Sequence, residues 1–477
     1  MKVILLDSPS WKLFSPKLHL ALGILYMAGE LRQAGFEVEV MDCHSVTSCD
    51  PDDRSKLIIH HEKLKPCDIV GLSATTGNAH YGQMLAEAWP AKIKILGGPH
   101  VTHIFQGPHA RFKQQKYFRG WDYLMHGECE LAFVDFVRAV SEGRDPKKSN
   151  IPGLIWWDAL GLHQMPAPHE PDVTKAAGPA FDLWTEGFAK GAMSIPGAKG
   201  HQLDLTQQYT SSLYTSRGCP YGCNFCADAR TKLREETLEQ IEAQTKQLAE
   251  MGITGIRFQD DTFTIREKRA MAIADIMHDY GMIWRGTTRV NLINPELFRY
   301  FQKKGCTELA FGVEHASAKM LKAMEKGTTP EKNEIGIKMA WDAGITPRSF
   351  LIIGFPGETE DTLKEMEEWV LRVRPGAITL SLFTPYPGSA VWNNPEKFGI
   401  TIPDDAFDKF WQVGGEYDPA NMLIDIPTMS KWELWQHRQR LTKVFENEIG
   451  HLDRTLMHGN VGTFVPESSG MMTDNVM

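Results

Sequence analysis

Residues 214–228 read YTSRGCPYGCNFCAD, and the rest of the chain is organised around them. Cys219, Cys223 and Cys226 stand in the spacing C-x-x-x-C-x-x-C, with Gly218 and Gly222 giving the backbone freedom to aim three thiols at one centre. Thiolates are soft ligands suited to zinc or to iron–sulfur clusters, and a closed zinc site wants a fourth protein donor nearby. No fourth cysteine or histidine follows locally. Three cysteines on a four-iron cluster leave one iron open to a substrate or cosubstrate. A zinc knuckle is the competing reading of the spacing alone.

The chain of 477 residues is too long for one ordinary core, so two or three domains are expected. With 42% hydrophobic and 23% charged residues it has the composition of a soluble globular protein. No run of eighteen apolar residues occurs, and the opening KVILLD is too short and too soon acidic for a signal peptide, so a cytoplasmic location is expected. Of the eight cysteines, Cys43, Cys49, Cys67, Cys129 and Cys306 are scattered without a disulfide framework and read as reduced thiols. A net charge of -9 argues against broad binding of a phosphate backbone, so no nucleic-acid partner is expected.

Upstream of the cysteines, short apolar runs at residues 2–7, 38–42, 69–73, 93–98 and 123–127 alternate with segments of helical period. That alternation predicts a doubly wound parallel α/β sheet over residues 1–140, with its ligand site beyond the carboxyl ends of the strands. The candidate ligand contacts are the loop residues there: Ser73, Thr75, Gly97, Gly98, Pro99, His100, Gly127 and Glu128. Residues 141–205, with EGRDPKKSN and PGLIWWD, read as a linker holding a short hairpin.

From residue 206 to 395 six strand–helix units predict a partial (β/α)6 barrel, which places chemistry at the carboxyl ends of its strands. Thr264 with Glu267 has the pattern of a capping box, and Asn294-Pro295 that of a cap followed by proline at the first helical position. Asp260 and Asp261, Arg289, Glu314 and Gly354 end successive strands and are expected to converge on one mouth. Adjacent positions on a strand point oppositely, so Asp260 and Asp261 do not read as an acid/base pair. Residues 396–460, with Trp411, Trp432 and Trp435, read as a mainly helical capping segment and the candidate for substrate recognition; residues 461–477 read as a flexible tail.

Cys219, Cys223, Phe225 and Cys226, with the aromatic residue directly before the last cysteine, resemble the radical S-adenosylmethionine (SAM) signature. The resemblance implies a [4Fe–4S] cluster whose open iron chelates the methionine part of SAM, and cleavage of SAM to a 5'-deoxyadenosyl radical by one electron from an external donor such as flavodoxin or ferredoxin. It also implies that Phe225 lies near the adenine, Glu314 and Arg289 near the methionine or ribose part, Gly354 at the adenine wall, and Asp260 on a SAM-contacting strand end. The GGPH and HGE loops at residues 97–100 and 126–128 resemble the cobalamin-binding domain that precedes many radical SAM domains. The D-x-H-x-x-G loop that supplies a lower cobalt ligand in familiar cobalamin proteins is missing, and His44, in the partial echo Asp42-Cys43-His44, is not expected on cobalt.

By this resemblance the chain is a cobalamin-dependent radical SAM methyltransferase, acting through methylcobalamin on an unactivated carbon, less often phosphorus, of a small metabolite or peptide. An oxidative cyclase of the anaerobic Mg-protoporphyrin ester cyclase type is the enzyme alternative. An iron–sulfur or cobalamin carrier is the non-enzymatic one. A tRNA methylthiotransferase would carry three further cluster cysteines and usually a basic tail, which the scattered thiols and acidic charge do not match.

Overall fold

The computed structural model describes residues 1–11, 20–50, 56–185, 187–190, 208–292, 294–403, 407, 410, 424–449 and 463–464. Trp411 lies outside the described residues, as does the expected tail 461–477 except for Thr463–Phe464.

The first sheet contains β1 (Val3–Asp7), β2 (Val38–Asp42), β3 (Cys67–Ser73), β4 (Ala91–Gly97), β5 (Tyr123–Met125), β6 (Leu154–Asp158) and β7 (Gly161–Gln164) in the order β2-β1-β3-β4-β5-β6-β7. Its first five strands are parallel. Because β1 pairs with both β2 and β3, the winding reverses between β1 and β3, and a ligand crevice opens at such a reversal. Asp42, Asp7, Ser73 and Gly97 are in register across four strands, so these strand ends form one level floor. The hairpin expected in the join is β6 and β7, which pairs antiparallel with β5 and extends the sheet to Gln164.

The second sheet carries β8 (Phe188–Lys190), β9 (Tyr209–Leu213), β10 (Gly255–Phe258), β11 (Ile283–Thr288), β12 (Cys306–Glu314), β13 (Thr346–Ile353), β14 (Ala377–Leu382) and β15 (Thr463–Phe464). β9 to β14 pair in parallel and in sequence order, as the six strand–helix units predict. Their outward side chains, among them Ile256, Trp284, Leu309, Phe311, Val313 and Leu380, are buried against the helices. Inward positions are more polar: Glu308 meets Arg348 (2.7 Å) and Arg285 (3.3 Å) inside the sheet's curve.

The helix after β9, Leu238–Glu250, begins later than a helix from residue 234 would. Arg234–Glu235 instead pair with Ser216–Arg217 in a two-stranded ribbon, and Thr237 with Gln240 makes a capping box. Thr264 and Glu267 do not form one, a correction to the sequence expectation. Thr264 is buried against Thr288, and the helix starts at Glu267 behind an uncapped Arg266. Asn294 does cap, its side chain accepting from Leu297 N.

One apolar core joins the first sheet's face under helices Leu22–Gln33 and Glu130–Ser141 to the barrel's outer layer. A second, under helices Ala79–Ala88 and Pro99–Gln106, is closed by Trp392, Phe407 and Phe410, so the chain beyond β14 returns onto the first domain. Helix Lys431–Ile449 packs along helix Glu360–Val373. Among the described residues no helix is long and apolar enough to cross a membrane.

Candidate functional site

The cysteine loop leaves β9 through Thr215 and Ser216, and both are held by Asp260 at the end of β10. Its carboxylate accepts from Thr215 N (2.7 Å), Thr215 Oγ1 (2.6 Å) and Ser216 Oγ (2.6 Å). Asp260 is therefore buried and spent on fixing the root of the loop, and it does not line the cavity described below. Its neighbour Asp261, in the bend beyond β10, does line it, and burial together with Asp228 and Asp260 pushes that carboxyl up to about 7.

Gly218 sits at φ +91°, where a Cβ would come within 2.2 Å of Lys232 O, so only glycine lets the chain turn into Cys219 here. Cys219 N donates to Thr231 Oγ1 (2.8 Å), Cys226 N to Cys223 O (3.1 Å), and Asn224 N to Met324 O (3.0 Å). Burial raises the Cys219 thiol and pushes Cys226 up to about 12, so a metal must displace a proton from each. Among the described residues no three His, Cys, Asp or Glu side chains are gathered as donors to a single metal ion.

Beside the thiols, Arg289 reaches Cys223 Sγ with Nη1 (3.5 Å), lies 4.1 Å over the Tyr221 ring and donates to Lys326 O. Its Nε is buried without a hydrogen-bond partner, a donor left unsatisfied beside the cysteine loop. Lys326 Nζ bonds Glu314 Oε1 (2.7 Å) and lies 5.8 Å from the Phe225 ring. Thus Phe225, Arg289, Glu314 and Cys223 are brought together, linked by Tyr221 and Lys326, which the sequence reading did not single out. Glu314 holds φ +61° at a register shift in β12, an uncommon conformation for a residue other than glycine.

Gly354 reaches the same mouth by another route. Its N donates to Glu358 Oε2 (3.2 Å), and Glu358 Oε1 lies 3.2 Å from Nε2 of His315, the residue after Glu314. A Cβ on Gly354 would stand 3.2 Å from Leu434 Cδ1, so the C-terminal helix lies against this strand end. Trp435 stacks on Trp432 with centroids 5.0 Å apart, and Trp432 remains exposed.

A cavity of about 640 Å³ opens where the two domains meet. Ser73, Thr75, Gly97, Gly98, Pro99, Gly127 and Glu128 line it from the first domain, and Tyr214, Arg217, Gly218, Asp228 and Asp261 from the barrel. Gly98 has φ +97° and would place a Cβ 2.7 Å from the Ala74 backbone, so glycine keeps this floor low. His100 is not in the cavity: its imidazole is fully buried between Thr76 (3.3 Å) and Gln115 (3.2 Å), and burial pushes it down to about 3. His103, one helical turn on, lines the cavity instead. Glu128 lines it with its carboxylate already engaged by Arg217 (2.7 Å) and Arg234 (2.9 Å).

His44 does not line the cavity either. Its Nε2 accepts from Ser10 N (3.0 Å), which leaves Nδ1 to donate to Asp42 (2.6 Å), so both ring nitrogens are used within the first domain.

The radical SAM superfamily profile matches residues 213–370, which run from the end of β9 into the helix after β13. Over 386 residues the chain is 30% identical to an uncharacterized methyltransferase of Pyrococcus horikoshii, covering 78% of this chain and 77% of the relative. The chain belongs to the radical SAM superfamily.

This radical SAM protein is also 26% identical to the anaerobic magnesium-protoporphyrin IX monomethyl ester cyclase of Rubrivivax gelatinosus, covering 81% of this chain and 68% of the relative. Its fold is shared, at 17% identity and a TM-score of 0.65, with the radical SAM methyltransferase TsrM of Kitasatospora setae, solved with cobalamin and a [4Fe–4S] cluster bound; the match covers 93% of this chain and 90% of that one. The likeness spans both domains. A [4Fe–4S] cluster and SAM are the cofactors of a radical SAM protein. The soft donor set at Cys219, Cys223 and Cys226 and the orphaned Arg289 donor beside it fit that use.

Proposed function

We propose that the protein is a cobalamin-dependent radical SAM methyltransferase that methylates an unactivated carbon, less often phosphorus, of a small metabolite or peptide. The observation that carries this reading is a cavity walled on one side by the strand ends of the first domain and on the other by the root of the cysteine loop. A radical-forming centre and a methyl carrier must share one enclosure, because a carbon radical released into water is quenched before it meets its partner.

When bound, the cluster and SAM supply the radical and cobalamin carries the methyl group. The chain's own contribution is positioning. Cys219, Cys223 and Cys226 hold the cluster, and Arg289 and Glu314 are placed for the polar groups of SAM, with Phe225 for its adenine and Gly354 at the adenine wall. Ser73, Thr75, Gly97, Gly98, Pro99 and Gly127 would form the crevice for cobalamin, and His44, bonded to Ser10 and Asp42, would not serve as a ligand there. An external reductant of the flavodoxin or ferredoxin class, and hence a cytoplasmic setting, belong to the same reading.

The test is anaerobic preparation with iron, sulfide and hydroxocobalamin, followed by quantification of bound cobalamin and of the products of SAM. Stoichiometric cobalamin with both 5'-deoxyadenosine and S-adenosylhomocysteine supports the reading. SAM cleavage without S-adenosylhomocysteine favours the second reading, an oxidative cyclase, which the similarity to the Rubrivivax enzyme motivates. A preparation that binds cluster and cobalamin but cleaves no SAM is a carrier.

A further inference from the structure

Glu128 follows β5 in the first domain, and arginines of the barrel domain take both of its carboxylate oxygens. Oε2 accepts from Nη1 of Arg217 (2.7 Å) and Nη1 of Arg234 (2.9 Å), and Oε1 accepts from Nη2 of Arg234. Arg217 Nη1 also donates to Glu130 Oε1 (2.6 Å), and its guanidinium lies 5.0 Å over the Tyr26 ring. Tyr26 in turn donates its hydroxyl to Glu236 Oε1 (2.6 Å). Each contact crosses from the first domain to the ribbon Ser216–Arg217/Arg234–Glu235 or to Glu236 just beyond it, and this ribbon brackets the cysteine loop in sequence.

We propose that this ribbon is a latch: Arg217 and Arg234, gripping Glu128 and Glu130, set the distance and angle between the first domain's crevice and the cysteine loop. A forked guanidinium bound to a carboxylate fixes direction as well as separation. The side chains of Arg217, Arg234 and Glu130 are 17%, 11% and 14% exposed and that of Glu128 33%, so water screens the Arg217–Glu130 pair less than surface pairs and the Glu128 pairs to an intermediate degree. From Arg217 the chain reaches Cys219 through Gly218 alone, whose turn admits no other residue, so a displacement of Arg217 carries to the first thiol. The apolar core already holds the domains together, which leaves the polar latch to decide how they are aligned. Its consequence for cobalamin, though not the latch itself, rests on the proposed function.

The test compares the wild-type chain with the isosteric double variant Glu128→Gln/Glu130→Gln and with a quadruple variant that adds Arg217→Met and Arg234→Met, so that neither latch arginine is left as a buried cation without its carboxylate. Two readouts are used: amide hydrogen exchange in the chain without cofactors, and the magnetic interaction between the reduced cluster and cob(II)alamin in the loaded protein, by electron paramagnetic resonance. The latch predicts unchanged iron content, exchange at residues 216–218 faster by about tenfold, as expected for loss of a charge-assisted bond, and a weakened or broadened cluster–cobalt interaction in the protein that holds both groups. Unchanged exchange in both variants overturns it, as does an unchanged interaction in variants that hold both groups. Unfolding of both variants also overturns it, by showing that these contacts hold the fold. A wild-type chain that takes up no cobalamin refutes the methyltransferase reading, and hydrogen exchange alone then decides the latch.

Discussion

Nη1 of Arg289, from the end of β11, stands 3.5 Å from Sγ of Cys223, with the same guanidinium stacked over Tyr221. The contact places a fixed cation against one thiol of the cluster loop. A cation there favours the more negative, reduced state of a bound cluster. At an effective dielectric near 20, a unit charge about 5 Å away contributes roughly 3 kcal/mol. Arg289→Met is therefore expected to lower the cluster's reduction potential by on the order of 100 mV, measured by redox titration of the reduced-cluster signal; a potential that stays the same or rises contradicts this role.

Replacing Cys219, Cys223 or Cys226 singly by alanine is expected to lose the [4Fe–4S] absorbance and all detectable SAM cleavage. Retained cleavage in any one of the three sinks the assignment. So does stoichiometric zinc in anaerobically prepared wild-type protein.

Asp260 accepts three hydrogen bonds at the root of the loop and should be read out through stability and cluster retention. Asp260→Ala strands one buried amide and two hydroxyls, at a cost of about 1–3 kcal/mol for each unsatisfied group. A lower denaturation midpoint and faster iron loss are expected together. An alanine variant that matches the wild type in both would show that the loop is held by other contacts.

His44→Ala should leave the cobalamin absorption and cob(II)alamin resonance spectra unchanged, because both ring nitrogens are already bonded to Ser10 and Asp42. Loss of a nitrogen-ligand signal in this variant would place His44 on cobalt.

Glu308 gives the chain an acid-sensitive core. Burial alone would raise its carboxyl, but Arg348, Arg285 and Arg257 outweigh burial and hold it down to about 2, against the ordinary 4.5. A depressed carboxyl contributes stability that is fully present above pH 4.5 and is lost as pH falls from there toward 2. The difference is worth roughly 3 kcal/mol by linkage. Glu308→Gln should flatten the stability profile between those limits and lower stability at pH 7, seen in denaturant midpoints across pH; a variant with the wild-type acid slope would assign the effect elsewhere.

The sequence alone determined what local rules encode. The C-x-x-x-C-x-x-C spacing, the alternation of apolar runs with helical periods, and polar or glycine residues at strand ends marked the cysteine loop, both sheets and the strand-end part of the cavity's first-domain wall. Those signals are short-range: a thiol spacing or a strand period is complete within a few residues. Tertiary structure decided which strand-end residue does what. Asp260 and Asp261 are neighbours in the chain, yet one ties Thr215 and Ser216 and the other lines the cavity, because both lie past the end of β10 at Phe258, where no strand period sets the direction of a side chain. His100 lay in the loop expected to meet a ligand and was drawn into the core by Thr76, Gln115 and Phe407, while His103 took the cavity wall. Lys326, Tyr221 and the arginine–glutamate latch carry no local pattern at all. They exist as a site only once β11, β12 and the loop after β5 are folded against the cysteine loop, since a pair formed across as many as 106 residues leaves no period to read.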